Sequence, residues 1–396
     1  MARIKIDHRG VEKGYFYHVS KKMRIAFYIS VVATIIFIGG MFAAFSGEIT
    51  GDNFRHLMRA MTISFSTPGS EGVIFYYDTD SRMSFTLFNN DFAVATTRGV
   101  TMFDRMGNTV FRDRRSFTNP QLASSNRWLL AYDRGGNSFA VYNNFGLLHQ
   151  EIDRDFPVFL ACVADNGTFA IATRTPSARS MIFIYNSNFQ QLSDIPHSGH
   201  IIAMELTRDG RYLLMVYSTT NAQGQFLADV RVFDIEYSRQ IVHQEYFLET
   251  MAFGAAWSEN GGFTLMLSSG VLSFDSEFEL VGQHSTDSES YTMFHVGSST
   301  TALIYRATLV GNVNVVTLLD SESNVRSTRE IVGRISLIQS SEDYVFIAVP
   351  DRIYRICIAG EVLYVDIERG VRGLVIVPGQ NVLLCFAHRA YVVMFN

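Results

Sequence analysis

Eight times along the chain a short turn rich in Gly, Asn, Asp or Ser is followed by an apolar run of strand length. Asp165-Asn166-Gly167 precedes TFAIAT, Arg208-Asp209-Gly210-Arg211 precedes YLLMVY, Glu259-Asn260-Gly261-Gly262 precedes FTLMLS, and Gly379-Gln380-Asn381 precedes VLLCFA. Gly, Asn and Asp are the residues that tight hairpin corners with positive φ require. The runs begin near Phe92, Trp128, Phe169, Tyr212, Phe263, Ala302, Tyr344 and Val382. Their mean spacing is about 41 residues, the period of a four-stranded propeller blade. One interval is longer and contains the polar insertion Thr219 to Gln225, which reads as a surface loop.

One repeat parses in full. Pro120–Ser124 reads as the inner strand, Trp128–Asp133 as the second, Ser138–Asn143 as the third and Gly146–Glu151 as the outer one. The second strand is apolar at nearly every position. A sheet with one wet face would alternate instead, so this strand is covered on both faces, as in a radial stack of sheets. The last repeat supplies only three strands before the chain stops at Asn396, and the segment Gly72–Asp78 (GVIFYYD) is placed to add the fourth. Such closure removes an edge that would otherwise template aggregation. The expected fold is all-β: an eight-bladed β-propeller, with seven blades as the alternative count.

Ahead of the repeats lies the apolar run Ile25 to Phe45, which holds no charged residue. As a helix its 21 residues would rise about 30 Å, the thickness of a bilayer's hydrocarbon core. Residues 1–24 carry Arg3, Lys5, Arg9, Lys13, Lys21, Lys22 and Arg24 against Asp7 and Glu12. Lys and Arg beside a span stay in the cytoplasm, so residues 46–396 are expected outside. A signal peptide cut at Gly47 competes with this reading, but the run exceeds a signal core and the head is long. The expected organisation is a basic cytoplasmic head (1–24), one transmembrane helix (25–45), a juxtamembrane linker with a short amphipathic helix (46–66) and the propeller (67–396). The linker helix rests on Phe54, Leu57, Met58 and Met61 at helical spacing.

The formal net charge is −5, and outside the head 36 acidic residues face 26 basic ones. A net-negative body makes a poor nucleic-acid binder, because phosphate contacts need concentrated Lys and Arg. The local cluster Arg112, Arg114 and Arg115 reads as a solvated strand end. Cys162, Cys357 and Cys385 each sit in apolar runs, and their odd number argues against a disulfide framework; three buried thiols are expected.

With the repeats laid out, phrases such as LTRDGRYLLMVYS (Leu206–Ser218) resemble the turn-then-strand signature of WD40-like and quinoprotein-like propellers. The layout of basic head, single span and eight blades, including LLAYDRGGNSFAVYN (Leu129–Asn143), is similar to an uncharacterised bacterial family of single-pass membrane proteins with propeller ectodomains. That resemblance implies a propeller outside the membrane and transfers no catalytic residue.

No GxSxG elbow, HExxH, P-loop or EF-hand loop occurs. Two tryptophans, Trp128 and Trp257, are too few for the tryptophan docking of pyrroloquinoline-quinone propellers. The segment Val163 to Phe169 approaches a sialidase aspartate box but lacks its Ser and spacing, so Asp165 reads as a hairpin residue. His197 and His200 (HSGH) read as a solvated loop, since two ligands do not make a zinc site. The carboxylate pairs Asp153 with Asp155, and Asp287 with Glu289, lack the oxygen ligands calcium needs. No catalytic, cofactor or metal residue is assigned.

The function expected is a binding or scaffolding module, tethered through residues 25–45 and recognising an envelope protein or wall polymer. Arg98, Arg134, Arg174, Arg306 and Arg389 lie at or just after second strands of different repeats and form the candidate ligand face. The alternative is an enzyme acting on cell-surface glycans from the propeller funnel. That chemistry requires paired carboxylates, whereas the inner strands are mostly apolar or small.

Overall fold

The computed structural model describes residues 23–37 and 74–395, except 90, 144–145, 152–154, 247–249, 287–290 and 308–311. The expected linker helix (46–66), the first residues of the expected closing segment, Asp153 and the pair Asp287 and Glu289 lie outside the described residues. The chain divides into two compact units, Met1–Phe65 and Ser66–Asn396. In the first, a helix covers 23–37. Its 15 residues rise about 22 Å, and among the described residues no helix is long and apolar enough to cross a membrane. The remainder of the apolar run, 38–45, lies outside the described residues.

The second unit is an eight-bladed β-propeller. Eight separate four-stranded antiparallel sheets follow one another along the chain. Blades one to seven cover 83–114, 120–151, 158–197, 200–246, 252–285, 293–332 and 337–366. In each, the strands pair in chain order from the innermost outward. Blade two matches its sequence reading closely: Pro120–Ser124, Leu129–Asp133, Phe139–Asn143 and Gly146–Glu151.

Blade eight takes three strands from 373–393, and its fourth is Ile74–Tyr76, paired antiparallel with Arg389–Val393. This short strand closes the ring with side chains as well as backbone. Phe75 and Tyr77 are buried with Phe92 and Phe103 of blade one and with Leu383, Cys385 and Ala390 of blade eight. The Tyr77 hydroxyl shares its proton between the carbonyls of Phe386 at 2.9 Å and Arg389 at 2.7 Å. Tyr77→Phe leaves those carbonyls without that donor and is expected to cost about 1–2 kcal/mol. An unchanged urea midpoint for this variant would show that closure rests on ring packing alone.

The core sits between blades. Leu214, Val216 and Val230 of blade four pack with Phe263, Leu265 and Phe274 of blade five, and Leu130, Phe139 and Val141 of blade two with Phe169 and Ile171 of blade three. Second strands such as Leu129–Asp133 and Phe263–Leu267 are buried along their whole length, because a neighbouring sheet covers each face. Blade contacts leave little room for side chains at some points. At Gly282, on the outer strand of blade five, a Cβ would collide with the carbonyl oxygen of Glu322 in blade six.

Four of the connections from third to fourth strand share a five-residue turn: DRMGN (104–108), NSNFQ (186–190), DSEFE (275–279) and DSESN (320–324). The leading Asp or Asn accepts backbone N–H bonds from the third and fifth residues, as Asp275 does from Glu277 and Glu279 at 2.9 Å each. The fourth residue is left-handed, with φ of 84° at Gly107, 64° at Phe189, 66° at Phe278 and 62° at Ser323. The side-chain acceptor offsets the cost of placing non-glycine residues there.

The insertion 219–225 forms the tip of a long hairpin: strands Tyr212–Thr220 and Phe226–Asp234 pair as far as Thr220 with Phe226, and residues 221–225 are the surface loop between them. Two expectations need correction. Cys162 and Cys385 are buried, but Cys357 is only half-buried, since it ends a third strand at a turn. Arg115 is not solvated, because its side chain lies beneath the outer strands of blades one and two, bonded to Asp113 at 2.9 Å and to Gln150 at 2.5 Å.

Candidate functional site

Antiparallel pairing sends successive connections to alternate ends of a blade. Turns between first and second strands therefore share one rim with those between third and fourth strands. Turns between second and third strands share the opposite rim with the connections from blade to blade.

The five arginines fall on this opposite rim. Arg98 and Arg134 occupy the turns after Asp91–Thr96 and Leu129–Asp133; Arg174 and Arg306 lie near the ends of Phe169–Thr175 and Thr301–Arg306; Arg389 opens Arg389–Val393. The first four are exposed. Arg389 is half-buried, paired with Glu368 and lying 5.8 Å from the Phe386 ring centroid. They belong to blades one, two, three, six and eight. Arg306 borders two hollows, one of about 170 Å³ shared with Asn314 and Arg334 and a more open groove along blades five and six.

A cavity of about 770 Å³ opens on the other rim, at the mouth of the central channel. The first-to-second-strand turns of blades one, two, three, four, seven and eight surround it. Asp165, Glu342, Asp343 and Arg208 supply its charged groups at the rim, and Leu87, Ala123, Cys162, Leu206 and Ile376 give apolar wall deeper in. Asp165 is held in place by the backbone N–H of Asn126 at 2.6 Å and by its side-chain amide at 2.8 Å. It is a hairpin residue, and it also presents its charge to the cavity.

Within the cavity lies Glu205, on the innermost strand of blade four, His200–Leu206. It is the only carboxylate on the eight innermost strands, which carry no Lys or Arg. Its Oε2 accepts the Trp257 backbone N–H at 2.9 Å, and its carbonyl accepts the Trp257 indole N–H at 3.0 Å, tying blade four to blade five. No donor reaches Oε1 among the described residues. Desolvation pushes the Glu205 carboxyl up to about 7, against the opposing pull of the Trp257 N–H. The same enclosure, with Glu205 close by, pushes the Cys162 thiol well up, which makes it a poor nucleophile.

Sequence reasoning passed over Glu205 because one acid in HIIAMEL looks like an ordinary strand residue. The signal was comparative: aligned by blade, the other seven inner strands hold no acid at all.

The HSGH pair also needs correction. His200 is exposed, but His197 is buried. Its Nδ1 accepts the Gly199 N–H at 2.9 Å, so the ring proton sits on Nε2 and is donated to Asp229 Oδ2 at 2.9 Å. Arg231 clasps the same carboxylate through Nε at 3.1 Å and Nη2 at 2.8 Å, and the His197 ring stacks on Tyr217 at 3.7 Å. Burial pushes the Asp229 carboxyl up, but the bonds from His197 and Arg231 outweigh it and hold it down to about 2. With both ring nitrogens engaged, His197 is a structural rivet between blades three and four. His295, on the inner strand of blade six, is likewise engaged: its Nδ1 lies 2.6 Å from the Ser340 hydroxyl, and burial lowers it to about 4, so the ring is neutral. Among the described residues no three His, Cys, Asp or Glu side chains converge as metal ligands.

The fold is an eight-bladed β-propeller with a polar cavity at the mouth of its channel. The chain belongs to a family of unknown function, DUF5711, whose model matches residues 73–393. No curated protein sequence matches it. Among solved structures it is similar to BamB from Moraxella catarrhalis, at 13% identity and a TM-score of 0.56 over 83% of this chain and 98% of that one. It is also similar to Sqt1 from Chaetomium thermophilum, at 13% identity and 0.55 over 83% and 100%, and to the dihydro-heme d1 dehydrogenase NirN, at 13% and 0.52 over 74% and 67%. At such identities the likeness is one of fold.

Proposed function

We propose that this protein is a membrane-tethered binding or scaffolding module whose propeller works outside the cytoplasm and docks its partner at the channel mouth. The basic head and the uncharged run 25–45 support the tether and its orientation. One observation carries the docking site. Glu205, the sole carboxylate of the eight innermost strands, lines the cavity with Oε2 bonded to the Trp257 N–H and with no donor at Oε1 among the described residues. A carboxyl raised by desolvation in a cleft is a functional-site candidate. The cavity is of ligand size and mixes apolar wall with a few fixed polar groups.

The test is photo-crosslinking of the full chain in intact cells, with the crosslinker at Gln380 on the mouth or at Gln223 on the opposite rim. An envelope partner captured reproducibly from Gln380 and not from Gln223 is the expected result. Capture from Gln223 alone would move the docking face to the arginine-bearing rim. No partner from either position, together with glycan turnover by the purified chain that Glu205→Gln abolishes, would replace this reading with that of an enzyme.

A further inference from the structure

The ligand class is constrained by what the channel mouth offers and what it lacks. Four carboxylates, those of Asp165, Glu205, Glu342 and Asp343, border the cavity, and Arg208 is the one base among them. The inner strands supply no cation, and Oε1 of Glu205 lacks a donor among the described residues. The bias extends over the whole rim, where acids such as Asp104, Asp209, Glu259, Asp275 and Asp320 outnumber bases such as Arg127 and Arg211. A field of one sign around a low-dielectric recess concentrates ligands of the opposite sign. A divalent metal fits this pattern poorly, since no three ligating side chains converge among the described residues. The apolar wall of Leu87, Ala123, Cys162, Leu206 and Ile376 suits methylene groups.

We infer that the channel mouth binds a primary ammonium carried on an alkyl stem, the ammonium pairing with Oε1 of Glu205 and the stem lying along the apolar wall. This deepens the docking reading above and rests on it. A lysine side chain of a partner and a free polyamine present the same chemistry. An ammonium donates hydrogen bonds to a carboxylate oxygen that has no other donor, and the pair lies where water competes poorly. Binding favours the ionised form of Glu205, so it releases protons near neutral pH.

The experiment uses the full chain in lipid nanodiscs, with a fluorescent pentalysine peptide, its fully Nε-acetylated counterpart and spermidine as probes. Saturable pentalysine binding is expected, with no binding of the acetylated peptide. Glu205→Gln is expected to weaken binding by about tenfold or more, whereas Arg98→Gln on the other rim leaves it unchanged. Calorimetry in buffers of different ionisation enthalpy is expected to show proton release at pH 7 that Glu205→Gln removes. Competition by spermidine at equal affinity assigns a free polyamine; weak competition assigns a lysyl segment. Absence of pentalysine and spermidine binding, equal binding of the acetylated peptide, or an unaltered affinity in Glu205→Gln each overturns the inference. An envelope partner still captured from Gln380 in the Glu205→Gln variant would leave the docking reading standing while the ammonium assignment falls.

Discussion

Asp229→Ala is expected to destabilise the propeller by about 3–5 kcal/mol, a loss comparable to a large part of a domain's total stability. The substitution strands two donors at once. The His197 Nε2–H and the Arg231 guanidinium both point at the vacated position, between blades three and four, where the Asp229 side chain is 4% exposed and that of His197 6%. The network also imposes a pH dependence. The Asp229 carboxyl is held near 2, whereas an unfolded aspartate titrates near 3.9. The unfolded chain therefore takes up this proton first as acid is added. The stabilisation, about 2–3 kcal/mol, is complete above pH 4 and drains away as pH falls toward 2. Urea titrations of wild type and Asp229→Asn between pH 2 and 7 check this. Parallel curves for the two proteins would mean the carboxylate contributes no net charge interaction.

Glu205→Gln is expected to act in the opposite sense, raising stability at pH 8 by roughly 3 kcal/mol. The folded carboxyl titrates near 7 because the channel desolvates it. Unfolded, it titrates near 4.3. The folded state binds the proton more tightly, so its advantage is complete below about pH 4 and is lost as pH rises through 7. Gln has no charge to desolvate and keeps an oxygen for the Trp257 N–H. Wild type is thus expected to lose stability between pH 5 and 8 while the variant stays level, in thermal melts across that range. Melting curves that fall together would show that water in the channel already solvates Glu205. The two predictions separate two kinds of buried carboxylate. Asp229 is stabilised by its partners, whereas desolvation opposes the charge of Glu205.

The order and number of blades were legible because a propeller repeats one local problem. Each repeat must turn tightly at residues such as Asp165-Asn166-Gly167 and then bury a strand such as Phe169–Thr175 on both faces, and both demands leave marks within a few residues. Closure was legible for the same reason: three strands at the end and GVIFYYD at the start are complementary deficits. The DSEFE-type turns were equally readable, as repeated Asp or Asn five residues before the outer strand begins, yet they are seen as a set only once the blades are aligned.

The sequence by itself determined the repeat, its period, the apolar second strands and the uncharged run ahead of them, because each depends on neighbours along the chain. Tertiary structure alone decided which charges share a rim, that His197 is riveted to Asp229 and Arg231, and that Glu205 stands in the channel. Those outcomes depend on residues dozens of positions apart meeting across blades, and desolvation and charge pairing act through space.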